Sequence, residues 1–428
     1  MTLDRRNLLT GAGLAGLCAT ATATAAAART RGDAPDPLRH LIAEAPSQRM
    51  AVAFDGTTWS GPGWDHLLDA GRASQFLLLG EEHGLVEVPA LVRQLMPALG
   101  TAGYSRLALE VSPPGARALD VAAQEGVPGL RRFYADHPPG PAFYTMDEEA
   151  RMLAAVRGGF PANSPLLLGL DYEVLIDRYL IDQLKIRVPA SAGAALTALD
   201  AASKASWARF EATRDVRWYF CFSGDPALVR AVRAVWPDPD PLSEEILETL
   251  EQSLLINQHQ TAQRYFLSND SRAQLTRANW VRFWRAETAA GRQPRILFKF
   301  GAGHMVRGRS MTEVYDIGNM VAETAALMGG RSYHLLVVPL DGGRQAAFNP
   351  ATFGYEPRPV ETIAEMGLEP LAALAFPDSA TLFNLEALRP RLPASLTRTA
   401  DPRLARVVHG YDAVLLVPGA TASGRLEA

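Results

Sequence analysis

The chain has 428 residues, of which 48% are hydrophobic and 21% are charged, and its formal net charge is −4. This composition is typical of a globular protein with a large core, and it provides no basic stripe of the kind that binds nucleic acid. After the N-terminus there is no run of about 18 uncharged apolar residues, so we expect no membrane span in the mature protein.

The first 28 residues have the pattern of an export signal. Arg5 and Arg6 precede a weakly apolar Gly/Ala/Leu/Thr stretch, which resembles a twin-arginine signal, and Ala26 and Ala28 are spaced for signal peptidase. The alternative is an Ala-rich tail without a targeting role. We predict a signal peptide over 1–28 and a mature protein that is periplasmic or secreted.

The remainder is predicted to contain a polar, Pro-containing linker over 29–48 and a single domain over 49–428. Removal of the signal leaves one cysteine, Cys221, so the mature chain can form no internal disulfide. Cys221 lies in the apolar stretch WYFCF, which indicates a core position. The sequence contains no Gly-x-Ser-x-Gly motif, and a hydrolase with a covalent nucleophile is therefore not expected.

Short, continuous apolar runs predict six strands, and helical spacing of apolar residues separates them. The strands are predicted over 75–80, 105–111, 164–171, 294–304, 332–340 and 411–419, and helices over 84–99, 116–124 and 147–157. Strand signals are nearly absent from a helical stretch over about 185–292, which we interpret as an insertion or cap. These features predict an α/β fold with a mostly parallel central sheet and helices on both faces.

Four of the predicted strands end in ionisable side chains. Glu81 and His83 follow the first strand and Glu110 closes the second; Asp171 follows the third and His304 follows the fourth. The ends of parallel strands lie along one edge of the sheet, the carboxyl edge, where ligands bind in open α/β folds. A single acid after a strand is often a helix N-cap, which is the alternative for Asp171. Four such ends predict a shared polar site.

Three of these strand ends resemble one known superfamily. The motif GEEHG at 80–84, then Glu110, then GAGH at 301–304 are similar to the superfamily that joins erythromycin esterases, ChaN-like haem-binding proteins and Tiki proteases. The similarity extends over about 75–422.

Finer features are most similar to the erythromycin-esterase branch. Glu87 lies four residues after His83, and Arg272 and Asn279 stand seven apart, on one face of a helix. The last strand, in GYDAVLLVPGATAS, also resembles that branch. Two features differ from it, because only one residue separates Glu81 from His83, as in ChaN and Tiki proteins, and the late strand carries a single histidine.

The resemblance implies a hydrolase of small esters, lactones or amides. A histidine beside a carboxylate can take a proton from water, which would be the role of His83 with Glu81 or Glu110. His304 would polarise a carbonyl or protonate a leaving group. We expect four further residues to bind substrate or support the site: Glu87, Asp171, Arg272 and Asn279.

The sequence leaves two alternatives to a metal-free hydrolase open. Two histidines and two glutamates can also bind a divalent metal, with or without catalysis. The second alternative is a periplasmic binding protein for haem or a metal that uses the same pocket without chemistry. A haem site would require an axial Tyr, His or Met over a large apolar surface.

Overall fold

The computed structural model describes residues 36–392, 396 and 401–427, so the predicted signal peptide lies outside the described residues. Its centre is a nine-stranded sheet. In sheet order the strands are β2 (Trp59–Ser60), β1 (Arg49–Phe54), β10 (Ala380–Asn384), β11 (Ala413–Val417), β7 (Ser332–Pro339), β3 (Phe76–Glu81), β6 (Arg295–Gly301), β4 (Tyr104–Leu109) and β5 (Leu167–Gly169). A separate hairpin is formed by β8 (Arg344–Asn349) and β9 (Gly354–Pro359).

Helices cover both faces of the sheet. The first part of the chain contains α1 (Pro37–Glu44), α2 (Pro62–Ala73), α3 (Glu87–Gly100), α4 (Pro113–Ala123), α5 (Gly126–Asp136), α6 (Asp147–Gly158), α7 (Asp177–Lys185), α8 (Gly193–Thr213) and α9 (Phe220–Ser223). The second part contains α10 (Pro226–Ala234), α11 (Pro241–Thr261), α12 (Tyr265–Ala289), α13 (Ala302–Met305), α14 (Ile317–Leu327), α15 (Thr362–Met366), α16 (Glu369–Ala372), α17 (Leu385–Leu388) and α18 (Pro402–Gly410). None of the described helices is both long and apolar enough to cross a bilayer.

The predicted α/β class with a mostly parallel sheet is confirmed. The six predicted strands are β3, β4, β5, β6, β7 and β11, and each pairs in parallel with its neighbours among them. Five strands were not predicted: β8 and β9 form the separate hairpin, and β1, β2 and β10 form an antiparallel edge beside β11. The parallel strands are buried on both faces, which explains why they read as continuous apolar runs.

Successive residues of the central strands alternate between two cores. Leu77 and Leu79 of β3 face one apolar cluster, while Phe76 and Leu78 face the other, and all four are fully buried. The helices α7 to α12 lie between β5 and β6; α7 to α11 pack around an apolar cluster of their own, whereas α12 packs against the core of the sheet through Trp280. This helical segment begins at Asp177, before the predicted start at about 185.

The prediction of a linker over 29–48 is wrong for its second half. Residues Pro37–Glu44 form α1, and Ala45–Gln48 continue as a 3₁₀ turn. Asp36 caps the helix by accepting the Leu38 N–H at 3.0 Å, with proline at the first helical position. Leu41 is fully buried in the core, so this segment is docked on the domain.

The turn after β3 is held close to the β8–β9 hairpin. Gly84 has φ +84°, and its carbonyl accepts the Ala346 N–H at 2.9 Å. A Cβ on residue 84 would lie 2.4 Å from the carbonyl oxygen of Ala346. Glycine is therefore required here both by backbone conformation and by space.

We predict that Arg157→Ala destabilises the fold by about 3–5 kcal/mol, because the change removes a buried cation from its partners. Arg157, in α6, is 2% exposed and bonds Asp120 and the carbonyls of Ser164 and Phe160. Urea unfolding measures the change.

The matched control is Arg151→Ala on the same helix. The Arg151 side chain is 57% exposed and pairs with Asp147, so its loss should change the free energy of unfolding by about 1 kcal/mol or less. Equal effects of the two substitutions would contradict the assigned role of Arg157.

Candidate active site

The carboxyl edge of the parallel sheet gathers the predicted strand-end residues. Glu81 is the last residue of β3, and Glu110 follows β4 directly. His304 lies in α13, the short helix into which β6 continues, and Asp171 follows β5. Parallel pairing of these strands places all four positions at one edge, as the strand register requires.

The carboxylate of Glu110 lies at the centre of this site. Its Oε1 accepts from Arg272 Nη2 at 2.6 Å, and its Oε2 accepts the Gly301 N–H at 2.6 Å. The Nε2 atoms of His83 and His304 lie 3.4 and 3.5 Å from the same carboxylate. Burial alone would raise the pKa of Glu110, but His304, His83 and Arg272 hold that pKa well below its usual range. Glu110 is therefore an ionised group surrounded by donors.

The close approach of β6 to this cluster depends on glycine. A Cβ on residue 301 would lie 3.0 Å from His83 Nε2 and 3.3 Å from Glu110 Oε2. A Cβ at residue 301 would require the imidazole and the carboxylate to shift by a few tenths of an ångström, which would disturb their mutual geometry.

His83 is in contact with a carboxylate at each ring nitrogen. Its Nδ1 lies 2.9 Å from Glu81 Oε1, and its Nε2 faces Glu110. Burial would lower the pKa of His83, but Glu110 and Glu81 outweigh it and raise the pKa to about 10. The ring of Phe143 stacks on the imidazole at 4.0 Å between centroids and 12° between planes. His83 is therefore an imidazolium at neutral pH in this conformation.

His304 is oriented by a carboxylate that sequence reasoning did not identify. Its Nδ1 lies 2.8 Å from Asp316 Oδ2, which leaves Nε2 directed at Glu110. Burial and Arg272 lower the pKa of His304, while Asp316 and Glu110 raise it by more, so the net shift is upward. Asp316 lies in the loop before α14, where no strand ends, so the strand-end pattern could not reveal it.

Arg272 and Asn279, on one face of α12, both reach the carboxyl edge. Arg272 bonds Glu110 and also Asp171, whose Oδ1 accepts from Arg272 Nε at 3.0 Å. Asn279 is buried and donates to the carbonyl of Leu170 at 2.9 Å, just after β5. Arg272 and Asp171 therefore belong to the cluster, whereas Asn279 fixes the backbone beside it.

Glu87 lies outside the cluster. It is 4% exposed in the first turn of α3, and its Oε1 accepts the Thr421 N–H at 3.0 Å. Burial raises the pKa of Glu87. The structure thus gives Glu87 a contact with the C-terminal segment, and its role toward a substrate stays a prediction.

A buried lysine supports Glu81 from behind. Lys299, in β6, has a side chain that is 1% exposed, and its Nζ lies 2.7 Å from Glu81 Oε1 and 2.6 Å from Glu149 Oε1. Burial would raise the pKa of Glu81, but Lys299 and His83 lower it. Burial raises the pKa of Glu149 to about 7, and Lys299 only partly offsets this. A charged residue in the apolar run ILFKF was the available signal for this network.

A divalent metal, which the sequence left open, does not fit this donor set. Both oxygens of Glu110 already accept bonds, from the Arg272 guanidinium and from the backbone of Gly301. A guanidinium at 2.6 Å opposes a second cation beside Glu110. Within the described residues, no group of three or more His, Cys, Asp or Glu side chains has an arrangement that could hold a metal ion.

Neither a protein-family model nor a curated protein matches the sequence, but solved structures match the fold. A Bacillus cereus protein superimposes with TM-score 0.57 at 12% identity, over 91% of this chain and 99% of that chain. A succinoglycan biosynthesis protein gives TM-score 0.60 at 14% identity, over 91% and 99%. The erythromycin esterase EreC, in an open conformation, gives 0.58 at 14%, over 89% and 100%. The chain has an erythromycin-esterase-like fold, as the sequence predicted.

We predict that Lys299→Met destabilises the protein by about 3–5 kcal/mol, because it leaves Glu81 and Glu149 buried without their shared cation. The free energy of unfolding in urea is the measurement. Lys204→Met is the control, since the Lys204 side chain is 60% exposed and its loss should cost about 1 kcal/mol or less. A Lys299→Met protein as stable as the control would show that the buried network does not hold the sheet to α6.

Proposed function

We propose that this protein is a hydrolase that cleaves a small ester, lactone or amide by direct attack of water. The observation that carries the proposal is the convergence of His83, His304 and Arg272 on the carboxylate of Glu110 at the carboxyl edge. Such an edge is where open α/β folds bind ligands, and convergent groups with shifted pKa values are typical of catalytic sites.

In this proposal the two histidines have different roles. His83, with Nδ1 held by Glu81, would accept the proton of the attacking water at Nε2. His304, with Nδ1 held by Asp316 and a raised pKa, would stay protonated and donate to the carbonyl oxygen or the leaving group. Arg272 would keep Glu110 ionised and in place.

The proposed roles give a simple proton balance. Water loses a proton to His83 as its oxygen bonds to the carbonyl carbon, and the tetrahedral intermediate then expels the alcohol or amine. The leaving group takes a proton from His304. The proton on His83 then passes through solvent to His304, and both histidines return to their starting states. The products are a carboxylic acid and an alcohol or amine.

The alternative, a periplasmic protein that binds haem or a metal without catalysis, has less support in the geometry. The donor set opposes a metal ion, as described above. A haem ligand needs a nitrogen directed at an apolar surface, whereas the Nε2 atoms of His83 and His304 both face a carboxylate.

We predict that kcat/KM for hydrolysis, once a substrate is found in an ester, lactone and amide panel, rises with pH on the acid side, because kcat/KM reports the free protein, in which the pKa of His83 is about 10. The free base grows about tenfold per pH unit until His304 begins to lose its proton, and kcat/KM is then level up to the pKa of His83. His83→Ala should lower kcat by about 10²–10⁴-fold.

The control is His40→Ala, because His40 is exposed on α1, away from the site. That variant should keep the wild-type rate and pH profile. Full turnover by His83→Ala, or a rate that falls as pH rises from 6 to 9, would contradict the assignment of His83 as the base.

Export to the periplasm is part of the proposal, and it depends on Arg5 and Arg6. Replacement of both by lysine should leave the full-length precursor in the cytoplasm, because the twin-arginine route requires the arginine pair. Fractionation of bacterial cells and the N-terminal sequence of the mature protein measure this. Unchanged export and processing of the double-lysine variant would contradict the twin-arginine route.

A further inference from the structure

The loop between α5 and α6 contacts the site through two consecutive aromatic residues. Phe143 stacks on the imidazole of His83, with 4.0 Å between centroids and 12° between planes. The next residue, Tyr144, is buried, and its hydroxyl accepts the backbone N–H of Glu110 at 3.1 Å. One short loop therefore contacts both the proposed base and the backbone of Glu110.

Phe143 is held in a backbone conformation that a phenylalanine rarely adopts. Its φ is +66°, in the left-handed region, where a bulky side chain is strained. The residues that follow are anchored on both sides. The Tyr144 carbonyl accepts from the Tyr134 hydroxyl at 2.8 Å, and Thr145 Oγ1 lies 2.9 Å from the Tyr355 hydroxyl of the β8–β9 hairpin. Strain of this kind persists only where the surroundings impose it, and it is found most often at functional sites.

The stack stabilises the imidazole when the imidazole carries a charge. A cation over the face of an aromatic ring is attracted by the quadrupole of that ring. Phe143 covers one face of His83, and Glu81 occupies the Nδ1 edge. The Nε2 edge, which faces Glu110, is the side that these two contacts leave for a substrate.

We propose that Phe143 is a positioning residue for the hydrolytic site: its strained loop presses the phenyl ring onto His83, fixes the plane of the imidazole and directs Nε2 at the attacking water. The catalytic consequence rests on the proposed hydrolase function. The contact itself does not, since it can be observed in the protein without any substrate.

The stack acts on His83 together with the charged groups of the neighbouring elements. Glu81 and Glu82 approach from β3 and Glu110 from the end of β4, and these carboxylates favour the imidazolium. The remaining charged groups of the cluster are Lys299 in β6, Glu149 in α6, Arg272 in α12 and His304 in α13. The contribution of Phe143 must therefore be separated from theirs by changing the ring alone.

The test compares the His83 ring resonances in wild-type protein with those in Phe143→Leu and Phe143→Trp, using histidine-labelled protein and NMR. In the wild type, the ring current of Phe143 should shift the His83 C–H protons upfield of their ordinary positions, and loss of their signals in His83→Asn assigns them. In Phe143→Leu, which keeps an apolar side chain but no ring, the upfield shift should disappear. We also expect the His83 titration midpoint to fall by about half a unit to one unit. Phe143→Trp should retain the shift.

The kinetic arm separates positioning from stability. With a substrate from the panel, Phe143→Leu should lower kcat by about tenfold or more with a smaller change in KM, because a misdirected base affects the transition state more than binding. Phe143→Trp should restore most of kcat. Phe376→Leu, which removes a ring that packs on Arg49 at the antiparallel edge of the sheet, is the control and should leave kcat unchanged.

Two results would overturn the proposal. The first is a set of wild-type His83 C–H signals at their ordinary chemical shifts. This measurement does not depend on whether the Phe143 variants fold. The second is a Phe143→Leu protein with wild-type His83 shifts and kcat. If the His83 signals behave as expected but no ester, lactone or amide is cleaved, the proposed hydrolase function fails while the positioning contact stands.

Discussion

The burial of one carboxylate, Glu110, is the constraint on which the rest of the site depends. A buried carboxylate costs several kcal/mol unless donors replace its water. Here the replacement comes from Arg272, the backbone of Gly301 and the two flanking imidazoles. The donors come from three parts of the chain, namely the turn after β3, helix α12 and the segment from β6 into α13, so these elements must be docked together before Glu110 can be stable as an ion. The charges of the site are therefore balanced only when these elements are packed in their native positions.

This constraint also explains why the helices between β5 and β6 matter to the site. Five of them, α7 to α11, form an apolar cluster of their own, while the last and longest, α12, packs on the sheet with Arg272 directed at Glu110 and Asp171. Trp280, one residue after Asn279, is 1% exposed and packs edge-on against Phe76 of the core. Apolar packing thus fixes the position of α12. This position places the Arg272 guanidinium within bonding distance of Glu110 and Asp171. Displacement of α12 would leave Glu110 and Asp171 buried without their common cation.

The sequence predicted the parts of this arrangement that are local. Continuous apolar runs reveal buried parallel strands, and the residue that ends each run lies at the carboxyl edge, so Glu81, His83, Glu110 and His304 were identified without a structure. The antiparallel edge was missed because β1 is only half-buried and β2 has two residues, which gives no continuous run. The pairing of Lys299 with Glu149 joins residues 150 apart, and nothing in either local sequence specifies the partner. Glu87 matched the family motif in spacing, yet its carboxylate turns away to bind the C-terminal segment.

The same electrostatics set a condition on the proposed chemistry. Glu110 is the strongest of the groups that keep the proton on His83, and its carboxylate is only 3.4 Å from Nε2. In the proposed reaction, water and the substrate carbonyl occupy the space next to this nitrogen, and their entry lengthens the contact between imidazole and carboxylate. A longer separation weakens the attraction and lowers the pKa of His83 toward its ordinary range, where the free base is available. Glu81 and Phe143 hold the ring from the other sides while this happens. At neutral pH, a site that is fully paired at rest therefore becomes basic when a substrate separates His83 from Glu110, which would couple proton transfer to occupancy and keep the empty site inert.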